Sequence, residues 1–118
     1  MVRKKTNSNL LSRLEDLLNE IFSDDTKDFK IPTVQYIANQ LNVSPNYLSD
    51  MLRLTTGKNT QQHIHEKLIE KAKEKLANTT LSISEIAYQL GFEHAQSFSK
   101  LFKNKTSQSP LEFRTSFQ

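Results

Sequence analysis

The sequence predicts an all-α protein of about seven helices in which a two-helix unit occurs twice, once on each side of a long joining helix. Three observations carry this expectation. Two glycines and three prolines in 118 residues leave little turn punctuation for a β protein. Apolar residues recur at i, i+3, i+4 and i+7, the spacing of one helix face. A block of residues also returns at a nearly fixed distance along the chain.

The elements follow in order. Leu10, Leu11, Leu14, Leu17, Leu18, Ile21 and Phe22 predict a first helix from about Asn9 to Phe22, and Asp24, Asp25, Lys27 and Asp28 then read as a polar loop. A second helix is expected near Thr33 to Leu41. Later helices announce themselves by the chemistry that their first N–H groups need, because those donors have no partner within the helix. Ser44 with Pro45 reads as N-cap and N1 proline of a helix to Thr55, and Asn59 with Gln62 as a weaker start of one from Thr60 to Ala77. Ser82 with Glu85 reads as a capping box for Ile83 to Leu90. Periodicity gives His94 to Lys105, and Ser109, Pro110 and Glu112 open a last helix from Pro110 to Phe117.

The repetition organises these pieces. Ile37-Ala38, Gln40 and Leu41 return as Ile86-Ala87, Gln89 and Leu90, an offset of 49. Past the turn the offset is 50: Leu48, Ser49, Met51, Leu52, Arg53 and Thr56 correspond to Phe98, Ser99, Leu101, Phe102, Lys103 and Thr106. The second turn therefore holds one extra residue. Residues 1–57 form the first helix and first unit, 58–78 the joining helix, and 79–118 the second unit and last helix.

Short helix, tight turn and second helix make a helix-turn-helix, whose second helix can enter a DNA major groove. Asn42 and Gly91 share the position just after the first helix of each unit, where a left-handed backbone is needed and these residue types tolerate it best. In the first copy Leu48, Met51, Leu52 and Thr55 are expected to face the core, leaving Asn46, Ser49, Asp50 and Arg53 outside. In the second copy Phe98, Leu101 and Phe102 face inward and Gln96, Ser99, Lys100 and Lys103 outward. Asn and Gln pair bidentately with adenine, Lys donates to guanine, and Ser serves several bases. Pro45 at the start of the first recognition helix, with His94 and Ala95 at the start of the second, completes the candidate set; His94 is a candidate phosphate contact. Asp50 has two readings: an intrahelical pair with Arg53, or acceptance from cytosine N4.

The joining helix, 18 residues at ~1.5 Å each or about 27 Å, could hold two readers about one DNA turn, ~34 Å, apart. Its apolar face is Ile64, Leu68, Ile69, Ala72 and Leu76. Lys67, Lys71 and Lys75 beside Glu66, Glu70 and Glu74 read as a solvated face.

Composition excludes other classes. There is no Cys, hence no disulfide framework, thiolate zinc site or Cys nucleophile. No apolar run exceeds three residues, so no transmembrane span or signal core is expected and a cytoplasmic location is. His63 and His65, two apart on a helix, cannot share a metal, and neither a Gly-rich phosphate loop nor a Ser/His/Asp spacing appears. No enzyme activity and no cofactor are expected. The net charge is +3: residues 1–57 hold seven basic and seven acidic residues, and residues 58–118 hold nine and six. The competing readings are a helical protein-interaction module without DNA readout and, less strongly, an RNA binder.

The residues also resemble a family, the AraC/XylS regulators of bacterial transcription. The most specific stretch is "SISEIAYQLGFEHAQSFSKLFKNKTSQSPLEFR", Ser82 to Arg114, and "SPNYLSDMLRLTTGK", Ser44 to Lys58, matches the first recognition helix. The resemblance implies two helix-turn-helix units joined by a linker helix, asymmetric promoter DNA as partner, and contact with RNA polymerase. It places Asn46, Ser49 and Asp50 at base-facing positions of the first unit and Ala95, Gln96 and Lys100 at those of the second, with Arg53 and Lys103 near phosphates. Ala95 would meet a thymine methyl. There are three departures from the family pattern. Asp50 stands where many members carry a basic residue, Ser97 replaces a frequent aromatic, and Thr106-Ser107 replaces a frequent aromatic-Gly pair, which predicts a poorer cap on the second recognition helix. No segment resembles an effector pocket or receiver domain, so the chain is expected to be the DNA-binding end of a longer regulator, the other reading being a small stand-alone one.

Overall fold

A computed structural model describes residues 2–23 and 29–117, with side chains from residue 9 onward. These residues form seven helices: α1 (Val2–Phe22), α2 (Val34–Gln40), α3 (Pro45–Thr56), α4 (Thr60–Asn78), α5 (Ile83–Gln89), α6 (Ala95–Thr106) and α7 (Pro110–Thr115). No strand occurs among the described residues. The first helix begins seven residues earlier than its apolar spacing predicts, because extending an existing helix costs far less than nucleating one and needs no apolar face. The loop expected at Asp24, Asp25, Lys27 and Asp28 lies outside the described residues.

Side-chain caps fix the helix starts. The hydroxyls of Thr33, Ser44, Ser82 and Ser109 accept from the backbone N–H groups of Tyr36, Tyr47, Glu85 and Glu112. Glu85 and Glu112 return the bond to the N–H of Ser82 and Ser109, at 2.9 and 2.7 Å. Those backbone bonds first, and the serine hydroxyls second, hold both carboxyls below the usual carboxylate range. The Asn59 signal is also a complete reciprocal cap: Gln62 N–H reaches Asn59 Oδ1 at 2.9 Å and Asn59 N–H reaches Gln62 Oε1 at 2.8 Å.

The described residues divide into two compact units. One comprises those of 1–24 and 32–67, the other those of 25–31 and 68–118. The first is built on Leu10, Leu14, Leu18 and Phe22 of α1, which bury one edge at i+4 spacing, with Ile37, Ala38 and Leu41, Leu48 and Leu52, and Ile64. Arg13 donates to the Leu41 carbonyl at 3.0 Å, satisfying an acceptor at the end of α2.

The second unit buries Leu68, Ile69, Ala72 and Leu76 of α4 with Ile86, Ala87, Leu90, Phe98 and Phe102. An aromatic chain runs through it: Phe92 to Phe98 at 5.5 Å, Phe98 to Phe102 at 5.9 Å, Phe102 to Phe113 at 5.5 Å and Phe113 to Phe117 at 4.9 Å, all tilted or edge-on as ring quadrupoles prefer. Arg114 closes the far end of α4. Its guanidinium donates to the carbonyl of Leu76, in the last turn of α4, and to those of Thr79 and Leu81 in the connection that follows.

Candidate nucleic-acid interface

Each unit sets its second helix with the same turn. After α2, Asn42 takes φ +59°, and the Val43 N–H reaches back to the Ala38 carbonyl at 3.1 Å. After α5, Gly91 takes φ +90°, and the Phe92 N–H reaches Ala87 at 3.0 Å. This left-handed exit with a long reverse bond ends the first helix and redirects the chain within a few residues. A Cβ on Gly91 would lie 3.1 Å from both the backbone N and the Cγ1 of Ile31, so a larger residue there meets Ile31 as well as the strain of a positive φ.

The far ends of the second helices are duplicated as well. Gly57 at φ +80° and Ser107 at φ +66° send their N–H groups to the Arg53 and Lys103 carbonyls, at 2.9 and 2.8 Å. Thr56 and Thr106 each donate to the carbonyl four residues back and accept from the N–H two residues on. Ser107 thus retains the hydrogen bonds of a good cap; what it lacks relative to glycine is freedom from strain at positive φ.

Within this frame the two outer faces are set. Asn46, Asp50 and Arg53 of α3 are exposed, as are Gln96, Lys100 and Lys103 of α6 and His94 before it; Pro45 and Ala95 are half-buried. Thr55 and the two serines depart from the expected faces. Thr55 does not face the core: it is exposed and its hydroxyl bonds back to the Met51 carbonyl at 2.8 Å, because Leu48 and Leu52 already fill the buried stripe. Ser49 is not a freely outward residue either. It is half-buried with its hydroxyl 3.1 Å from that of Thr60, the one fully buried polar side chain among the described residues. Ser99 is half-buried too. Ser49 thus lies at the edge of its face, beside the start of α4.

Asp50 and Arg53 meet as an i,i+3 pair at 3.5 Å with both side chains more than half exposed, and an exposed pair of this kind contributes little to stability. His94 is the N-cap of α6 by position but offers it no side-chain hydrogen bond. The extra residue of the second turn puts a histidine where the first turn has Ser44.

Two exposed aromatics beside these faces escape the periodicity argument. Tyr47, next to Asn46, is 45% exposed, and Tyr88 is 76% exposed and lines a cleft of about 480 Å³ with Ser84, Phe92, Glu93, His94, Ala95 and Gln96. Tyr88 is out of phase with the buried Ile86, Ala87 and Leu90, and that phase was the one available signal. On α4, Lys67, Lys71 and Lys75 are half-buried rather than solvated, with Lys75 donating to Gln89 of α5 at 3.1 Å, while Glu66 pairs with Lys58. His63 Nε2 lies 2.9 Å from Thr56 Oγ1; burial, opposed by Glu66, pushes its pKa below the ordinary 6.5. His65 bonds to Gln61 at 2.8 Å.

A duplicated helix-turn-helix with polar outer faces on both second helices defines a DNA-binding domain. A model of the helix-turn-helix domain family matches residues 37–116. The Msm operon regulatory protein of Streptococcus mutans is 36% identical over 85 residues, 72% of this chain and 31% of that protein. The C-terminal domain of AraT, a response regulator from Geobacillus stearothermophilus, is 32% identical with a TM-score of 0.77, covering 91% of this chain and 84% of that one. A transcriptional regulator of the AraC-type from Chromobacterium violaceum shares the fold at a TM-score of 0.80 and 20% identity, covering 96% of each chain. The chain belongs to the AraC-type helix-turn-helix family, a family of DNA-binding domains of transcription regulators and not of enzymes. It spans about a third to a half of the length of the curated relatives it matches.

Proposed function

We propose that the chain binds duplex promoter DNA sequence-specifically as the DNA-binding part of a transcription regulator, with α3 and α6 reading two successive major grooves. The observation that carries this reading is the duplicated turn-and-helix, in which equivalent positions of α3 and α6 expose polar side chains while their opposite faces bury Leu48 and Leu52, or Phe98 and Phe102. Asn46, Asp50 and Arg53 with Pro45 work in the first groove, and Gln96 and Lys100 with Ala95 and Lys103 in the second; Ser49 and Ser99 support from the edge of each face. His94 and the uncapped N–H groups beside it meet a phosphate, since a helix N-terminus attracts an anion. Residues 58–78 act as the spacer between readers 1–57 and 79–118. RNA polymerase is a second partner, an effector-sensing domain lies outside this chain, and the protein works in the cytoplasm, where bacterial promoters are.

Selection of bound sequences from random duplex DNA tests this. Two short blocks about one helical turn apart are the expected result, and a single block would mean that one unit reads. Affinity should fall steeply with salt, and duplex RNA, whose major groove excludes a helix, should compete poorly. Absence of duplex binding, together with no effect of Gln96→Ala or Lys100→Ala, would leave the protein-interaction reading in its place.

A further inference from the structure

The repeat makes Asp50 of α3 the counterpart of Lys100 of α6, 50 residues on in the sequence, and this is the position where the two outer faces differ in sign. Their neighbours correspond in kind: Asn46 with Gln96, and Arg53 with Lys103. Both Asp50 and Lys100 are exposed. Ser49, beside Asp50, is half-buried with its hydroxyl 3.1 Å from that of Thr60, so the carboxylate of Asp50 is the more exposed of the two groups.

A carboxylate only accepts hydrogen bonds and an ammonium only donates them. In the major groove guanine shows two acceptors and thymine an acceptor and a methyl, while adenine sets an acceptor beside its amino group. Cytosine N4 is the donor that a carboxylate meets without facing an acceptor on the same base. Guanine O6 and N7 are the corresponding targets of a lysine. Arg53, 3.5 Å from Asp50, offsets the repulsion that a lone carboxylate would meet near the phosphates, and the pair is exposed enough to enter a groove together.

Resting on the DNA-binding reading above, we infer that this position makes the two half-sites differ: Asp50 selects cytosine in the first where Lys100 selects guanine at the equivalent place in the second. The chain thereby distinguishes the two ends of its site, and its orientation on DNA follows.

The test is sequence selection from random duplexes by the wild-type chain and by Asp50→Ala, Asp50→Lys and Lys100→Asp, with helicity checked by circular dichroism. The wild type should yield cytosine in one block and guanine at the matching place in the other. Asp50→Lys should turn that cytosine into guanine and leave the other block unchanged, and Lys100→Asp should do the reverse. Asp50→Ala should flatten the position, so that duplexes differing there, bound about tenfold apart by the wild type, come within about twofold. Unchanged base preference with affinity raised alike on every sequence would show that Asp50 merely repels phosphate and would overturn the inference. Two selected blocks without that cytosine would also overturn it, while leaving DNA binding intact. A wild type that selects no duplex sequence would overturn both.

Discussion

At Gly91 two constraints coincide, a left-handed backbone and a neighbour 3.1 Å from where a Cβ would sit, whereas Gly57 has the same sign of φ with open space around it. Replacing each by alanine separates the two effects. Gly57→Ala should cost about 1 kcal/mol of unfolding free energy from φ alone, and Gly91→Ala about 2–3 kcal/mol because Ile31 must also move. Equal losses in denaturant titrations would contradict this. His63 offers a pH test. Its pKa in the folded chain lies below the ordinary 6.5, so the fold favours the neutral ring. The stability it supports is present above 6.5 and declines as pH falls below that value toward the folded pKa. His63→Phe, which copies the aromatic at the equivalent Phe113, should flatten the unfolding midpoint over that window; an unchanged pH dependence would place its origin elsewhere. That His63 and His65 cannot share a metal was legible from their spacing, but the bond of His63 to Thr56 was not, since the two residues belong to different helices.

Among the elements, α6 stands apart because its N-cap residue supplies no acceptor, while Ser44 and Ser82 do so for α3 and α5. His94→Asp should therefore raise stability by about 0.5–1 kcal/mol through a new cap and a favourable charge at the helix start. The same change should weaken DNA binding, since it puts a carboxylate where a phosphate is proposed to approach; thermal melts and binding isotherms on the variant check both signs. Ser82→Ala, by contrast, should cost about 1 kcal/mol, as it breaks a cap already made. The starts of the helices after α1 could be read from sequence to within a residue because a cap is a local event, closed by side chains three residues apart, whereas the start of α1 was missed by seven residues. Thr55 was misassigned because a helical wheel gives the phase of a face but not its width, which neighbouring elements decide. Ser49 was placed outward by the same wheel, and the partner that holds it, Thr60, belongs to α4.

Over the whole molecule the charge is uneven. Residues 58–118 carry nine basic and six acidic residues against seven of each before them, and α6 holds Lys100, Lys103 and Lys105 without an acid, while Asp50 accompanies Arg53 on α3. The second unit should then supply more of the salt-sensitive affinity. Lys103→Ala should reduce the slope of log affinity against log salt by about 1, and Arg53→Ala by less, because its charge is already partly neutralised. The reverse order in salt titrations would sink that expectation. By itself the sequence determined the helix count, the caps, the duplication and the candidate faces, since each is written in residues close together along the chain or repeated at a fixed offset. The tertiary structure decided which members of those faces stay in solvent. It tied Ser49 to Thr60, drew Lys75 to Gln89, closed the end of α4 with Arg114 and pressed Ile31 against Gly91, because those outcomes depend on which surfaces meet, and periodicity along one helix carries no information about its neighbour.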